Sequence, residues 1–125
     1  MRNAPVIAVA TAVATAVATL ALTGQAAAHA RLITGSPKAG ATVAAPKELK
    51  LQYSETLVPE ASSVTVTGPG GSAVATGKLV LDAKDKRTVH VPFSAAPAPG
   101  AYKVSWTMKT ADGHVTDGTF AFTVK

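Results

Sequence analysis

The sequence predicts an all-β domain, a sandwich of two antiparallel sheets built from about seven strands. Three observations predict it. Beyond Ala28 the apolar side chains fall in short runs that alternate with polar ones, and these runs are divided by glycine and proline. No stretch of that region repeats its apolar residues at a helical spacing.

The chain opens differently. Arg2 precedes a long run of Ala, Val, Thr and Leu that carries no charge until well past Leu22 and ends in Gln25-Ala26-Ala27-Ala28. A basic start, an apolar middle and a small-residue exit, with Ala26 and Ala28 at the cleavage-defining positions, mark residues 1–28 as a secretory signal peptide. Cleavage after Ala28 makes His29 the first residue of the mature chain. The run also has roughly the 17 or more residues that a membrane-spanning helix needs, but the A-x-A exit suits a peptidase better than a retained anchor.

Residues 29–125 are one domain's worth of chain, enough for a single two-layer core. Leu49, Leu51 and Tyr53 alternate with polar neighbours, as do Val64 and Val66, then Leu79 and Leu81, then Val89, Val91 and Phe93. The last two strands are the clearest, with Tyr102, Val104 and Trp106 on one face of the first and Phe120, Phe122 and Val124 on one face of the second. Met108 shares the parity of Trp106 and belongs with the core, whereas His90 alternates against Val89 and Val91 and faces solvent. Ser36-Pro37, Gly68-Pro69-Gly70-Gly71, Asp82 to Lys86, Pro97 to Gly100 and Asp112-Gly113 supply the turns.

Composition narrows the chemistry. The chain has no cysteine, so neither a disulfide nor a thiol-linked lipid supports this exported domain, and apolar burial must carry its stability. The excess of 12 Lys and Arg over 7 Asp and Glu is spread without a run of like charge. A nucleic-acid surface needs a basic stripe with aromatic platforms, and the few aromatics here occupy alternating strand positions instead. No serine lies in a G-x-S-x-G elbow, and neither mid-chain histidine comes with a recognisable serine and acid framework for a hydrolase.

Three histidines remain, at 29, 90 and 114. As a new amino terminus, His29 offers its free amine and its imidazole Nδ1 to one metal ion, a chelate no internal histidine can form. In Ala111-Asp112-Gly113-His114-Val115, Asp112 and His114 are two apart, a spacing that in an extended segment points both side chains to one side. Together the four donors make a set of three nitrogens and one oxygen that suits Cu(II), with Ni(II) a weaker fit. Read separately, Asp112-Gly113 is equally a hairpin turn beside an exposed histidine, and His29 a remnant of cleavage.

The order of several segments resembles the CopC/PcoC family of periplasmic copper-resistance proteins. His29-Ala30-Arg31-Leu32 with Ser36-Pro37-Lys38-Ala39-Gly40 is similar to that family's start, and Leu51-Gln52-Tyr53-Ser54-Glu55 to its second-strand motif. Pro99 to Trp106 resembles its late core strand, and Ala111 to His114 with Gly118, Phe120 and Val124 its metal loop and last strand. The resemblance implies an immunoglobulin-like Greek-key β-sandwich of cupredoxin-like topology over residues 29–125. It also implies one Cu(II) held by His29, Asp112 and His114, with Glu55 matching an acidic residue near the copper. The Met-rich Cu(I) loop of some members has no counterpart, since Gly68 to Gly77 contains neither Met nor His.

The resulting expectation is a non-enzymatic, monomeric Cu(II) carrier in the periplasm or at the cell surface. Its role is resistance, homeostasis or delivery to an inner-membrane copper transporter of the CopD type, without nucleic acid or a small-molecule substrate. Two other classes compete. A copper held by an amino-terminal histidine and a second histidine is also the chemistry of lytic polysaccharide monooxygenases, but this chain is short and poor in surface aromatics. A metal-free immunoglobulin-like interaction domain is the other.

Overall fold

The computed structural model describes residues 30–125, so the expected signal peptide and His29 lie outside the described residues. Nine strands form among the described residues: β1 (Leu32–Ser36), β2 (Thr42–Val43), β3 (Glu48–Tyr53), β4 (Ser63–Thr67), β5 (Ala73–Val74), β6 (Val80–Leu81), β7 (Thr88–Pro92), β8 (Gly100–Lys109) and β9 (Val115–Val124). They build one sheet of four strands in the order β1-β3-β7-β6 and one of five in the order β2-β9-β8-β4-β5. The all-β sandwich is as expected.

Two details differ from the sequence reading. There are nine strands rather than about seven, because β2 and β5 have two residues each and show no full period of alternation, while the strand expected at Leu79 and Leu81 is present as β6. The sheets are also not wholly antiparallel, since β2 runs parallel to β9 with Thr42 beside Thr123 and Val43 beside Val124. The chain leaves β1 at the edge of one sheet, turns at Gly40 (φ 77°) and arrives alongside the edge of the other. Hydrogen bonds from Gly40 N to the Ala121 carbonyl (2.7 Å) and from Thr123 N to the Ala41 carbonyl (2.8 Å) secure the crossing.

The core is what period-two alternation dictates. Leu49, Leu51, Val89, Val91, Val104 and Met108 are fully buried, and Tyr53, Val66 and Phe122 nearly so. Each such side chain contributes roughly 1.5–3 kcal/mol of apolar burial. Met108 packs with the core as its parity predicts. Tyr102 stacks on Phe122 at 5.4 Å, while Tyr53 meets Trp106 edge to face at 5.0 Å. Gly118 lies directly across from Trp106, and a Cβ there would come within 2.5 Å of the indole, so the ring needs a glycine beneath it. The β8–β9 ladder runs unbroken from Gly100–Val124 to Lys109–Val115, and it projects the Thr110–His114 loop from its far end.

Candidate metal centre

The loop at that end is shaped by its own hydrogen bonds. Thr110 N donates to the His114 carbonyl (2.9 Å) and Gly113 N to the Thr110 carbonyl (2.9 Å), which closes the turn. Gly113 takes φ 93°, a left-handed conformation that side chains resist. Asp112 and His114 are therefore brought to one side by a turn, not by the extended segment expected from their spacing.

Their donor atoms are close. His114 Nδ1 lies 3.1 Å from Asp112 Oδ1, about the separation of two adjacent ligands that each stand about 2.1 Å from one metal ion. The same Oδ1 accepts hydrogen bonds from the Thr110 hydroxyl and from His114 N (3.3 Å). Thr110 is 2% exposed, so a buried hydroxyl holds the carboxylate from the core side. That hydroxyl first, and then His114, lower the Asp112 carboxyl to about 2. Asp112 is thus an anion over the whole range in which a protein of this kind operates, while its side chain and that of His114 remain about half exposed.

Two further segments, Ala30–Arg31 and Ser54–Leu57, lie against this end of the molecule. Ala30, 3% exposed, gives its carbonyl to the Thr116 hydroxyl (2.9 Å), which anchors the start of the described chain two residues beyond His114. Arg31 N donates to Ser54 Oγ (2.9 Å), and Ser54 N returns a bond to the Arg31 carbonyl (2.9 Å). The Thr56 carbonyl accepts from Ala111 N (2.9 Å), and Leu57 bridges to Thr110. Glu55, half-buried, stands between a residue tied to the start of the described chain and one tied to the Thr110–His114 loop. A shallow hollow lined by Ala30, Arg31, Leu32, Trp106, Val115, Thr116 and Asp117 lies against the same end of β9.

Of the sequence-predicted site residues, Asp112 and His114 come together, and Glu55 sits in a segment bonded to their loop. His29 falls outside the described residues, and among those described no three His, Cys, Asp or Glu residues form a group able to hold a metal ion. Sequence reasoning missed Thr110, Ser54 and Thr116. Thr110, two positions before an aspartate in a turn, carried a local signal; the other two act across 23 and 86 residues and carried none.

Comparison with known proteins bears on this constellation. The CopC domain family matches residues 32–125. The chain belongs to the CopC family. It is 35% identical over 99 residues to protein YobA of Escherichia coli strain K12, covering 78% of this chain and 80% of that protein. It is 33% identical over 107 residues to copper resistance protein C of Escherichia coli, covering 80% and 84% of the two chains. Among solved structures, PcoC, a methionine-rich copper resistance protein from Escherichia coli, superimposes with a TM-score of 0.72 at 30% identity, covering 78% of this chain and 99% of that one. CopC from Methylosinus trichosporium OB3b gives 0.71 at 31% identity, covering 78% and 94%. The present chain differs from the methionine-rich relative in having only Met1 and Met108, the second of them fully buried.

Proposed function

We propose that this protein is an exported carrier of one Cu(II) ion, bound by the amino terminus and imidazole of His29 together with Asp112 and His114. The observation that carries the proposal is the Asp112–His114 pair, 3.1 Å apart on a loop held by a buried threonine. Membership of the CopC family supports copper as the metal, since relatives at 33% identity are copper resistance proteins. The anchoring of Ala30 to Thr116 supports His29 as the remaining contributor, because His29 is the residue bonded to Ala30.

The donor set has the hardness and count that suit Cu(II), and the absence of any Met from the Gly68–Gly77 stretch supports a carrier of Cu(II) alone. Copper is cargo here, not a reagent. Asp112 arrives already ionised, so the proton balance of binding rests on the amine and the two imidazoles, each of which must be unprotonated. Affinity accordingly falls as pH drops towards and below about 6.5, where imidazole in general takes up its proton. Glu55, in the segment bonded to the Thr110–His114 loop, takes the part of orienting a ligand or a bound water in this proposal. Export through residues 1–28 puts the carrier in the periplasm or at the cell surface, where it acts as a monomer in resistance or homeostasis. An inner-membrane transporter of the CopD type is its recipient.

The test is to express the chain with its leader, establish the mature start by mass spectrometry, and titrate it with Cu(II) beside a version carrying one additional residue before His29. The expected result is one tightly bound Cu(II) in the native protein and far weaker binding in the extended one. Equal binding by both, or a leader that is never removed, rejects the amino-terminal chelate.

A further inference from the structure

The histidine left out of the metal site is engaged elsewhere. His90, on β7, points away from the core that Val89 and Val91 face, as its parity predicts, yet its side chain is only 23% exposed. Its Nδ1 lies 3.1 Å from Glu48 Oε1 and its Nε2 2.7 Å from Asp82 Oδ1. Glu48 belongs to β3 and Asp82 directly succeeds β6, so one imidazole ties together the three strands β3, β7 and β6, which are adjacent in the four-stranded sheet.

Ionised carboxylates only accept hydrogen bonds, and a neutral imidazole has one N–H to give. Both contacts are satisfied at once only when His90 carries two protons and a positive charge. The carboxylates favour that form, Asp82 most and Glu48 next, and they raise the histidine's pKa against the opposing effect of partial burial. Asp82 is correspondingly lowered, chiefly by His90. The other groups on this face are accounted for. Lys50 stands directly across from His90 on β3, and Lys38 lines the same surface hollow as Lys50 and Asp82. Asp85 is occupied by the Thr88 hydroxyl, Gln52 Nε2 and Arg87 N.

The strand this arrangement secures is short and lies at the sheet edge. β6 has two residues, paired to β7 through Val80–His90 and Leu81–Val89 and continued by a bond from Asp82 N to the Thr88 carbonyl (2.9 Å), and Val80 is 55% exposed. Asp82 is also the keystone of the loop after β6, accepting bonds from Lys84 N and Asp85 N at 3.0 Å. That loop in turn reaches the body of the protein through the Lys86 and Arg87 carbonyls, which accept from Leu57 N and Tyr53 N.

We propose that Glu48, His90 and Asp82 form a proton-operated latch on the edge of the four-stranded sheet, closed when His90 is protonated and reduced to a single bond when it is not. Linkage sets the sign. A histidine whose pKa is raised by folding contributes stability that is fully present below its unfolded value, about 6.5, and is lost as pH rises through the folded value. The lowered Asp82 contributes stability above its ordinary carboxylate value, lost as pH falls through the folded one. The latch is therefore tightest in mild acid. Taken with the proposed copper site, the two histidine clusters respond oppositely to acid: metal is released in the same range in which the sheet edge is held most firmly. The carrier can then empty without unfolding.

The latch is tested on the metal-free protein in chelator, so its outcome does not depend on the copper reading. Thermal unfolding followed by circular dichroism from pH 5 to pH 9 is compared between the native protein and H90Q, while NMR follows the titration of the His90 ring in the native protein, D82N and E48Q. The expected result is a native midpoint that falls by a few degrees across the alkaline half of the range, a flatter curve for H90Q, and a His90 pKa above the ordinary imidazole value that drops in D82N and, less, in E48Q. A slope in H90Q equal to the native one, or a His90 pKa at or below the ordinary value, overturns the proposal.

Discussion

The two described histidines each have an aspartate within hydrogen-bonding distance, yet their surroundings set them to different work. His90 is met on both ring nitrogens by carboxylates from β3 and from the loop after β6, on the face of a sheet. His114 has Asp112 beside Nδ1, on a projecting loop whose carboxylate is restrained by Thr110 and by His114's own backbone. Two acceptors on opposite sides of one ring favour a proton on each nitrogen, which excludes a metal. The Asp112 carboxylate beside His114 Nδ1, in a loop open to solvent, places two donors on the same side, which suits a metal. A His–Asp pair therefore has no fixed chemistry; what matters is whether the donors converge on a point outside the ring or enclose the ring between them.

The sharpest way to break this contrast is to exchange each histidine for alanine and titrate with Cu(II). His114→Ala is expected to weaken binding roughly 100-fold or more, exceeding the 10–100-fold typical of outer partners, while His90→Ala leaves affinity within about threefold because the sites share no partner. Similar losses in both would refute the division of labour. A smaller effect is expected from Thr110→Val, which keeps the buried shape and removes the hydroxyl that restrains Asp112. Copper affinity should fall about tenfold, and the Asp112 carboxyl, followed by NMR, should titrate above its present value of about 2.

Asp112 also sharpens the pH comparison. A carboxylate lowered by folding contributes stability above its ordinary value and loses it as pH falls through the folded one. Lowered to about 2, Asp112 is still an anion at pH 4, so in the proposed site acid is expected to displace copper through protons on nitrogen, not on Asp112. A Cu(II) titration series should then show a steeper pH dependence than one proton accounts for. The smallest effect is expected at Tyr53, whose buried hydroxyl has no hydrogen-bond partner among the described residues. Tyr53→Phe removes an unsatisfied polar group and should leave the unfolding midpoint unchanged or slightly raised, in contrast to the partnered hydroxyl of Thr110.

Much of the sandwich was legible because its signal is local. Leu49, Leu51 and Tyr53, or Tyr102, Val104 and Trp106, announce a buried face by alternation alone, and each is buried. Asp112-Gly113 announces a turn, and Gly113 takes the left-handed conformation that such a turn requires. The candidate ligands Asp112 and His114 were legible for the same reason, being neighbours in one short loop. Phe120 and Leu81 are only partly buried despite the right parity, because Leu81 lies on the edge strand β6 and Phe120 on a stretch of β9 that the short β2 does not flank.

By itself, then, the sequence determined the fold class, the faces of the long strands, the Asp112–His114 turn and the outward direction of His90, since alternation and turn chemistry act between residues close in the chain. The parallel crossing of β2 onto β9, the buried Ala30–Thr116 anchor, the Ser54 and Thr56 bonds that flank Glu55, and the closing of two carboxylates on His90 were decided only by the tertiary structure. Glu48 and His90 are 42 residues apart. Their meeting depends on the register of β3 against β7, and register is a property of the assembled sheets that no local pattern in this chain encodes.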